Sequence, residues 1–243
     1  MLGACLVACS STEQRETEDS PGDPLIDAGS HADAADAARA PHTDSAAPAE
    51  GTYPCRKDGD GTTTAVFVNR CRSPLHMRGS DIEGATIPTG EYVCRNLGGS
   101  KQTLSAKRYW GYLADDPGAE HYTLAEFTFN TDFNDFDWYN ISHVDAHNLT
   151  MQIVPLDRAK CDTLICSNPG LLNDCPAAGR DTNAKGELIA CVSPDRDDGD
   201  SPVAKHFESC NDAYAWSGDD QHGSDPSPVR ACAGDDWAIV FCP

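Results

Sequence analysis

The chain has 243 residues and a formal net charge of −21, enough length for one large domain or two small ones. An acidic surface of that size repels phosphate backbones and argues against a nucleic-acid partner. No run of 18 apolar residues occurs, so no helix that crosses a membrane is expected.

Taken from the start, Leu6-Val7-Ala8-Cys9 looks like a bacterial lipobox, in which Cys9 is acylated, and Ser10 and Ser11 follow it. The basic segment that usually precedes such a box is missing, so the true start lies upstream or the leader is shortened. Residues 1–9 are thus read as a lipoprotein signal peptide. Residues 10–52 hold ten acids and two bases and no Phe, Trp or Tyr. Such a segment buries too little apolar surface to offset its ordering entropy, and like charges extend it. It reads as a disordered acidic linker that lifts a domain, residues 53–243, off a membrane surface.

From Cys55 onward, short apolar runs alternate with turn residues. Strands are expected at Ala65-Val66-Phe67-Val68, Tyr92-Val93-Cys94, Leu124 to Phe129, Leu149 to Val154 and Trp237 to Phe241. Helical periodicity is weak, with a short helix expected near 203–210. Between Cys161 and Cys232 there is little apolar patterning, so a loop-rich lobe shaped by crosslinks rather than by a core is expected. Ten of the twelve cysteines lie after residue 50, and no pair is spaced C-x-x-C. Scattered cysteines in a loop-rich acidic chain indicate disulfides and an oxidising compartment, and no metal or cofactor is expected. The acidic run Asp195 to Asp200 lacks a full calcium-ligand spacing, because the twelfth position is His206 rather than Glu. His143 and His147 stand four apart, a helical spacing in a segment that reads as strand or loop.

Several of these segments resemble, in order, the thaumatin-like proteins. Phe67-Val68-Asn69-Arg70-Cys71 is similar to that family's first strand and its Asn-x-Cys turn. Thr123-Leu124-Ala125-Glu126-Phe127 is similar to its most recognisable strand, and Asp137 to Asp145 to its acidic segment. Asn148 to Met151, Cys175-Pro176, Cys210 to Tyr214 and Phe241-Cys242-Pro243 complete the resemblance, which runs from about residue 65 to the end. It implies an all-β fold, a flattened antiparallel β-sandwich with a disulfide-rich lobe at 161–232 and a cleft between them. It also implies the pairs Cys71–Cys242, Cys161–Cys232, Cys166–Cys210 and Cys175–Cys191, a choice that eight cysteines alone leave open among 105 connectivities. Cys55 and Cys94 have no family counterpart and, being left over, are expected to pair with each other.

The family's cleft carries one Arg, one Glu and three Asp. In its plant members it is associated with binding β-1,3-glucan and, in some, with cleaving it. The resemblance places Glu126 at the Glu, Asp145 and Asp212 at two of the Asp, and Asn140 at the remaining one. Arg95, Lys101 and Arg108 all fall in the stretch expected to hold the Arg, and Arg95 is preferred. Hydrolysis of a glycoside needs a proton donor and a second carboxyl, here Glu126 and Asp145. An amide cannot replace either, so Asn140 argues for binding over cleavage. Asp137 stands three residues from Asn140, and three residues along a strand reverse facing. Phe133, Phe136, Trp138 and Tyr139 cluster nearby, and sugar rings stack on such side chains, although strand alternation buries about half of them. The expected function is an exported, monomeric lipoprotein that binds a β-glucan-type polysaccharide. The alternatives are a weak endo-β-1,3-glucanase and a non-binding interaction scaffold.

Overall fold

The computed structural model describes residues 53–55, 60–116, 120–132, 134–156, 161–221 and 227–243. Cys9, the linker at 10–52 and Phe133 lie outside the described residues. Among those described, the alternation of apolar and polar positions builds fifteen strands. The first ten are β1 (Thr62–Asn69), β2 (Leu75–Gly79), β3 (Ala85–Ile87), β4 (Tyr92–Gly99), β5 (Leu104–Leu113), β6 (Leu124–Phe129), β7 (Asp137–Ser142), β8 (Ala146–His147), β9 (Met151–Pro155) and β10 (Leu164–Cys166). Helix α1 (Gly170–Asn173), β11 (Arg180–Thr182), β12 (Leu188–Val192), helix α2 (Pro202–Phe207), β13 (Ala213–Tyr214), β14 (Arg230–Cys232) and β15 (Asp236–Phe241) follow.

The strands form a five-stranded sheet in the order β10-β9-β15-β1-β4 and a seven-stranded sheet in the order β13-β7-β6-β5-β2-β3, with β14 also paired to β7. A three-stranded sheet, β11-β12-β8, joins two strands of the lobe to β8. Most pairs are antiparallel. The first and last strands instead run parallel, from Thr64 opposite Asp236 to Asn69 opposite Phe241.

Strand parity places the core between the two large sheets. Tyr109 and Leu113 of β5, Phe127 and Phe129 of β6, and Tyr139 and Ile141 of β7 are buried, while Arg108, Trp110, Tyr112, Glu126, Thr128, Trp138 and Asn140 between or beside them are half-exposed or exposed. They meet Phe67, Trp237 and Phe241 from the other sheet. The Trp237 ring centroid lies 4.4 Å from that of Tyr139 and 5.4 Å from that of Phe127. Gly111 lets the layers close, since a Cβ there would stand 3.0 Å from Leu75 and 3.2 Å from Phe241. A second apolar cluster, with Tyr53, Val66, Val68, Val154, Leu156, Ala238 and Val240, covers the other face of the five-stranded sheet. β1 and β15 are therefore buried on both faces, which explains why they read as continuous apolar runs rather than alternating ones.

Ten cysteines form five disulfides: Cys55–Cys94, Cys71–Cys242, Cys161–Cys232, Cys166–Cys210 and Cys175–Cys191. Cys71 follows a turn locked by buried Asn69. The Asn69 amide donates to the carbonyls of Ser73 at 3.0 Å and Ile87 at 2.8 Å, and its Oδ1 accepts from Cys71 N at 2.8 Å. That explains the Asn-x-Cys spacing. The lobe is crosslinked, but it also has an apolar centre that its sequence pattern does not announce. Leu171, Val203, Ala204 and Phe207 are fully buried beside the disulfides. Helix α2, which contributes three of them, starts at Ser201, whose Oγ accepts from Ala204 N at 3.2 Å, and has Pro202 in its first turn.

Candidate functional site

Strand β6 is inward-facing at Ala125, Phe127 and Phe129, so Glu126 stands on the outer face of the seven-stranded sheet. The antiparallel register then sets its neighbours. Arg108 of β5 is opposite Glu126, with its Nε 3.0 Å from Oε1. Asn140 of β7 is opposite on the other side, and its Nδ2 donates to Oε2 at 3.1 Å. Beyond β7, β13 runs parallel and brings Tyr214 opposite Ser142. The Tyr214 phenol is pushed up by burial first, then by Asp220, to which it is hydrogen-bonded, and by Glu126. The result is a polar row across three strands, Arg108, Glu126 and Asn140, with Tyr214 and Asp220 one step along from its β7 end.

A bulge decides which basic residue joins this row. The β5–β6 register shifts between Leu104 and Lys107, and Ala106 adopts φ 53° there. Such an extra residue re-aims the strand beyond it. Arg95, the residue preferred from the sequence, does not stand beside Glu126. Arg95 lies on β4, in the five-stranded sheet, opposite Ala65. Its guanidinium donates to the carbonyls of Glu83 and Cys94, both at 2.9 Å.

The other expected acids each have a cation of their own. Asp145 lies three residues past β7, with Oδ1 3.3 Å from Arg196, while its carbonyl accepts from Ser193 N. Asp212 precedes β13. Its Oδ1 is 3.3 Å from Arg230 of β14, and its Oδ2 accepts from Ile165 N at 3.2 Å. Asp212 thereby ties β10, β13 and β14 together along the edge of β7. It also borders an open cavity of about 370 Å³ lined by Ser167, Asn168, Ser209 and Asn211. Asp137 faces the core, as the three-residue spacing from Asn140 requires. It accepts from Asn130 N at 2.9 Å and Trp237 Nε1 at 3.0 Å, and burial pushes its carboxyl up to about 6. Of the aromatic candidates, Tyr139 is core, Trp138 is half-buried on the outer face and Phe136 is exposed.

His143 and His147 sit at buried positions flanking the start of β8, not on a helix. His147 Nδ1 lies 3.1 Å from His143 Nε2 and 3.3 Å from Thr123 Oγ1. Among the described residues, no group of three or more His, Cys, Asp or Glu side chains is arranged to hold a metal ion. Arg196, Arg230, Tyr214 and Asp220 were not singled out from the sequence. All four arrive from the lobe by tertiary folding, without a local pattern. Trp110 and Tyr112 did carry a signal, because in Arg108-Tyr109-Trp110-Gly111-Tyr112 alternate residues share the Arg108 face.

Comparison with known proteins agrees with this architecture. The profile of the Thaumatin family matches residues 113–243, more than half of the chain. The chain belongs to the thaumatin family. Over 141 residues it is 29% identical to a glucan endo-1,3-beta-glucosidase from Prunus avium, covering 50% of this chain and 55% of that protein. Over 130 residues it is 31% identical to pathogenesis-related thaumatin-like protein 3.6 from Cryptomeria japonica, covering 49% of this chain and 50% of that one. Thaumatin-like protein 2 from Prunus persica is 29% identical over 180 residues, covering 65% and 68%. The chain spans about half the length of the first two of these curated relatives.

Proposed function

We propose that the domain binds a β-1,3-glucan-type polysaccharide against the Arg108–Glu126–Asn140 row, as a monomeric, exported bacterial lipoprotein anchored through Cys9 and held off the membrane by the acidic linker. The row carries the reading. A carboxylate, a guanidinium and an amide side by side offer the acceptors and donors that sugar hydroxyls need, on a sheet face that turns away from the core. Family membership and the partial likeness to the Prunus avium protein support glucan as the class, and the five disulfides fit an oxidising compartment.

Binding is favoured over cleavage because the side chain facing Glu126 is an amide, which moves no proton at neutral pH, and Asp145 is held by Arg196. Glu126→Gln removes the negative charge that Arg108 and ligand hydroxyls meet. Laminarin affinity in calorimetry is expected to fall roughly tenfold or more, the scale of a lost charge-assisted hydrogen bond. Unchanged affinity would refute the site. Neither the parent nor the variant is expected to release reducing sugar from laminarin. Release that vanishes with Glu126→Gln would favour the hydrolase reading instead.

A further inference from the structure

The outer face of the seven-stranded sheet holds a second feature beside the polar row. Trp110 and Tyr112 follow Arg108 at two-residue steps on β5 and share its face. In register on β2, Arg78 is opposite Trp110 and His76 is opposite Tyr112. Tyr122, two residues before β6, completes the group. Its ring centroid lies 6.0 Å from that of Trp110, with the planes 26° apart, and 5.9 Å from that of Tyr112, with the planes 31° apart. The His76 ring lies 5.1 Å from Tyr112 and is fixed by Thr86 Oγ1, 2.9 Å from its Nδ1. All four rings are half-buried. At about 3.4 Å of rise per residue, Arg108 to Tyr112 spans roughly 13 Å along the strand.

We infer that Trp110, Tyr112 and Tyr122 form a stacking subsite for a neutral polysaccharide chain, which leaves the Glu126 row along β5. The inference rests on the reading of that row as a sugar site and extends it to a named surface. The pairing of near-parallel rings with a contiguous set of hydrogen-bonding side chains matches the two surfaces of a sugar ring, its C–H face and its hydroxyl rim. Charge selects the class of chain. With a net charge of −21, the protein repels polyanions, whereas a neutral glycan feels no such field. The patch is narrow and bordered by Arg78, Arg108 and Glu126, which suits a strand-like ligand better than a broad apolar protein face.

Trp110→Ala and Tyr112→Ala remove rings from the outer face and leave the core intact. Each is expected to weaken laminarin binding by the full chain roughly tenfold with little change in Tm, while Trp110→Phe, which keeps a flat ring, stays within about threefold of the parent. Parent-like binding by both alanine variants, with Glu126→Gln still impaired, overturns the subsite and leaves the proposed function standing. Failure of the parent on laminarin, with ring-dependent binding of xyloglucan, β-mannan or amylose, overturns the β-1,3-glucan reading and supports the subsite. No binding to any of these neutral glycans overturns both.

Discussion

The double variant Cys71→Ala/Cys242→Ala is expected to lose more stability than any other single-bridge deletion, about 4–5 kcal/mol. The bridge joins positions 171 residues apart, against 16 for Cys175–Cys191. With the Cys161–Cys232 bridge acting as a shortcut in the unfolded chain, the loop it closes is still about 100 residues, and chain entropy at that length corresponds to roughly 4.7 kcal/mol. Deleting Cys175–Cys191 opens a loop near 15 residues and is expected to cost about 3 kcal/mol. The structure adds a reason for the ranking. The long bridge fastens the parallel pair β1 and β15, the central strands of the five-stranded sheet, and both are buried on two faces. Alanine is preferred to serine because Cys71 is 2% exposed and a hydroxyl there would lack room for water. Chemical denaturation without reductant measures both variants. Equal losses would show that closure of the long loop is not what the bridge contributes.

Acidification is the second large effect. His143 and His147 are buried, and His143 Nδ1 has no hydrogen-bond partner. Burial first, and then His206, pushes the His147 imidazole down to about 3. Burial, His147 and His206 hold His143 well below its ordinary value. Thr123 and the Phe207 ring, which packs 5.4 Å from His143, offer no negative charge to compensate. Both imidazoles stay neutral in the fold, whereas the unfolded chain takes up protons below about pH 6.5. Stability is therefore fully present above that pH and falls as pH drops from 6.5 towards 3. With its imidazole held near 3, His147 costs about 2–3 kcal/mol by pH 4.5, and His143 adds to the loss in the same direction. Asp137 works in the opposite direction. Its folded pKa of about 6 lies above the ordinary 3.8, so its neutral form favours folding as pH falls through 6 and offsets about 2 kcal/mol by pH 4.5. Together the two histidines outweigh Asp137, so Tm is expected to fall between pH 7 and 4.5. His147→Gln is expected to remove most of that loss. A variant with the parent's full pH slope would show that the buried pair does not control acid stability.

Much of the fold could be read in the sequence, for reasons visible in the structure. β6 alternates cleanly because only one of its faces is buried, and β1 and β15 are unbroken apolar runs because both faces are. β5 and β2 escaped notice. The charged residues Lys107, Arg108 and Arg78, together with Gly111, interrupt their patterns, and only pairing with neighbours makes the alternation visible. Glu126 could be placed from the resemblance of its strand. Arg108 could not be chosen over Arg95, because the Ala106 bulge and the sheet each strand joins are tertiary facts. The acids at 145 and 212 could be placed on the motif, but their arginine partners, 196 and 230, could not. Loops closed by disulfides bring those partners in from the lobe.

The four tryptophans report on different parts of the molecule. Trp110 and Trp138 lie on the outer sheet face, and Trp237 lies in the core. Trp216 packs in the lobe so closely against Gly199 and Gly218 that a Cβ on either would fall within 2.6 Å of its ring. Following their indole N–H resonances while laminari-oligosaccharide is added tests most directly whether glycan is held on the seven-stranded sheet. Displacement of the Trp110 signal, with those of Trp237 and Trp216 unmoved, is the predicted result. Movement confined to Trp216, or no movement at saturating sugar, would contradict it.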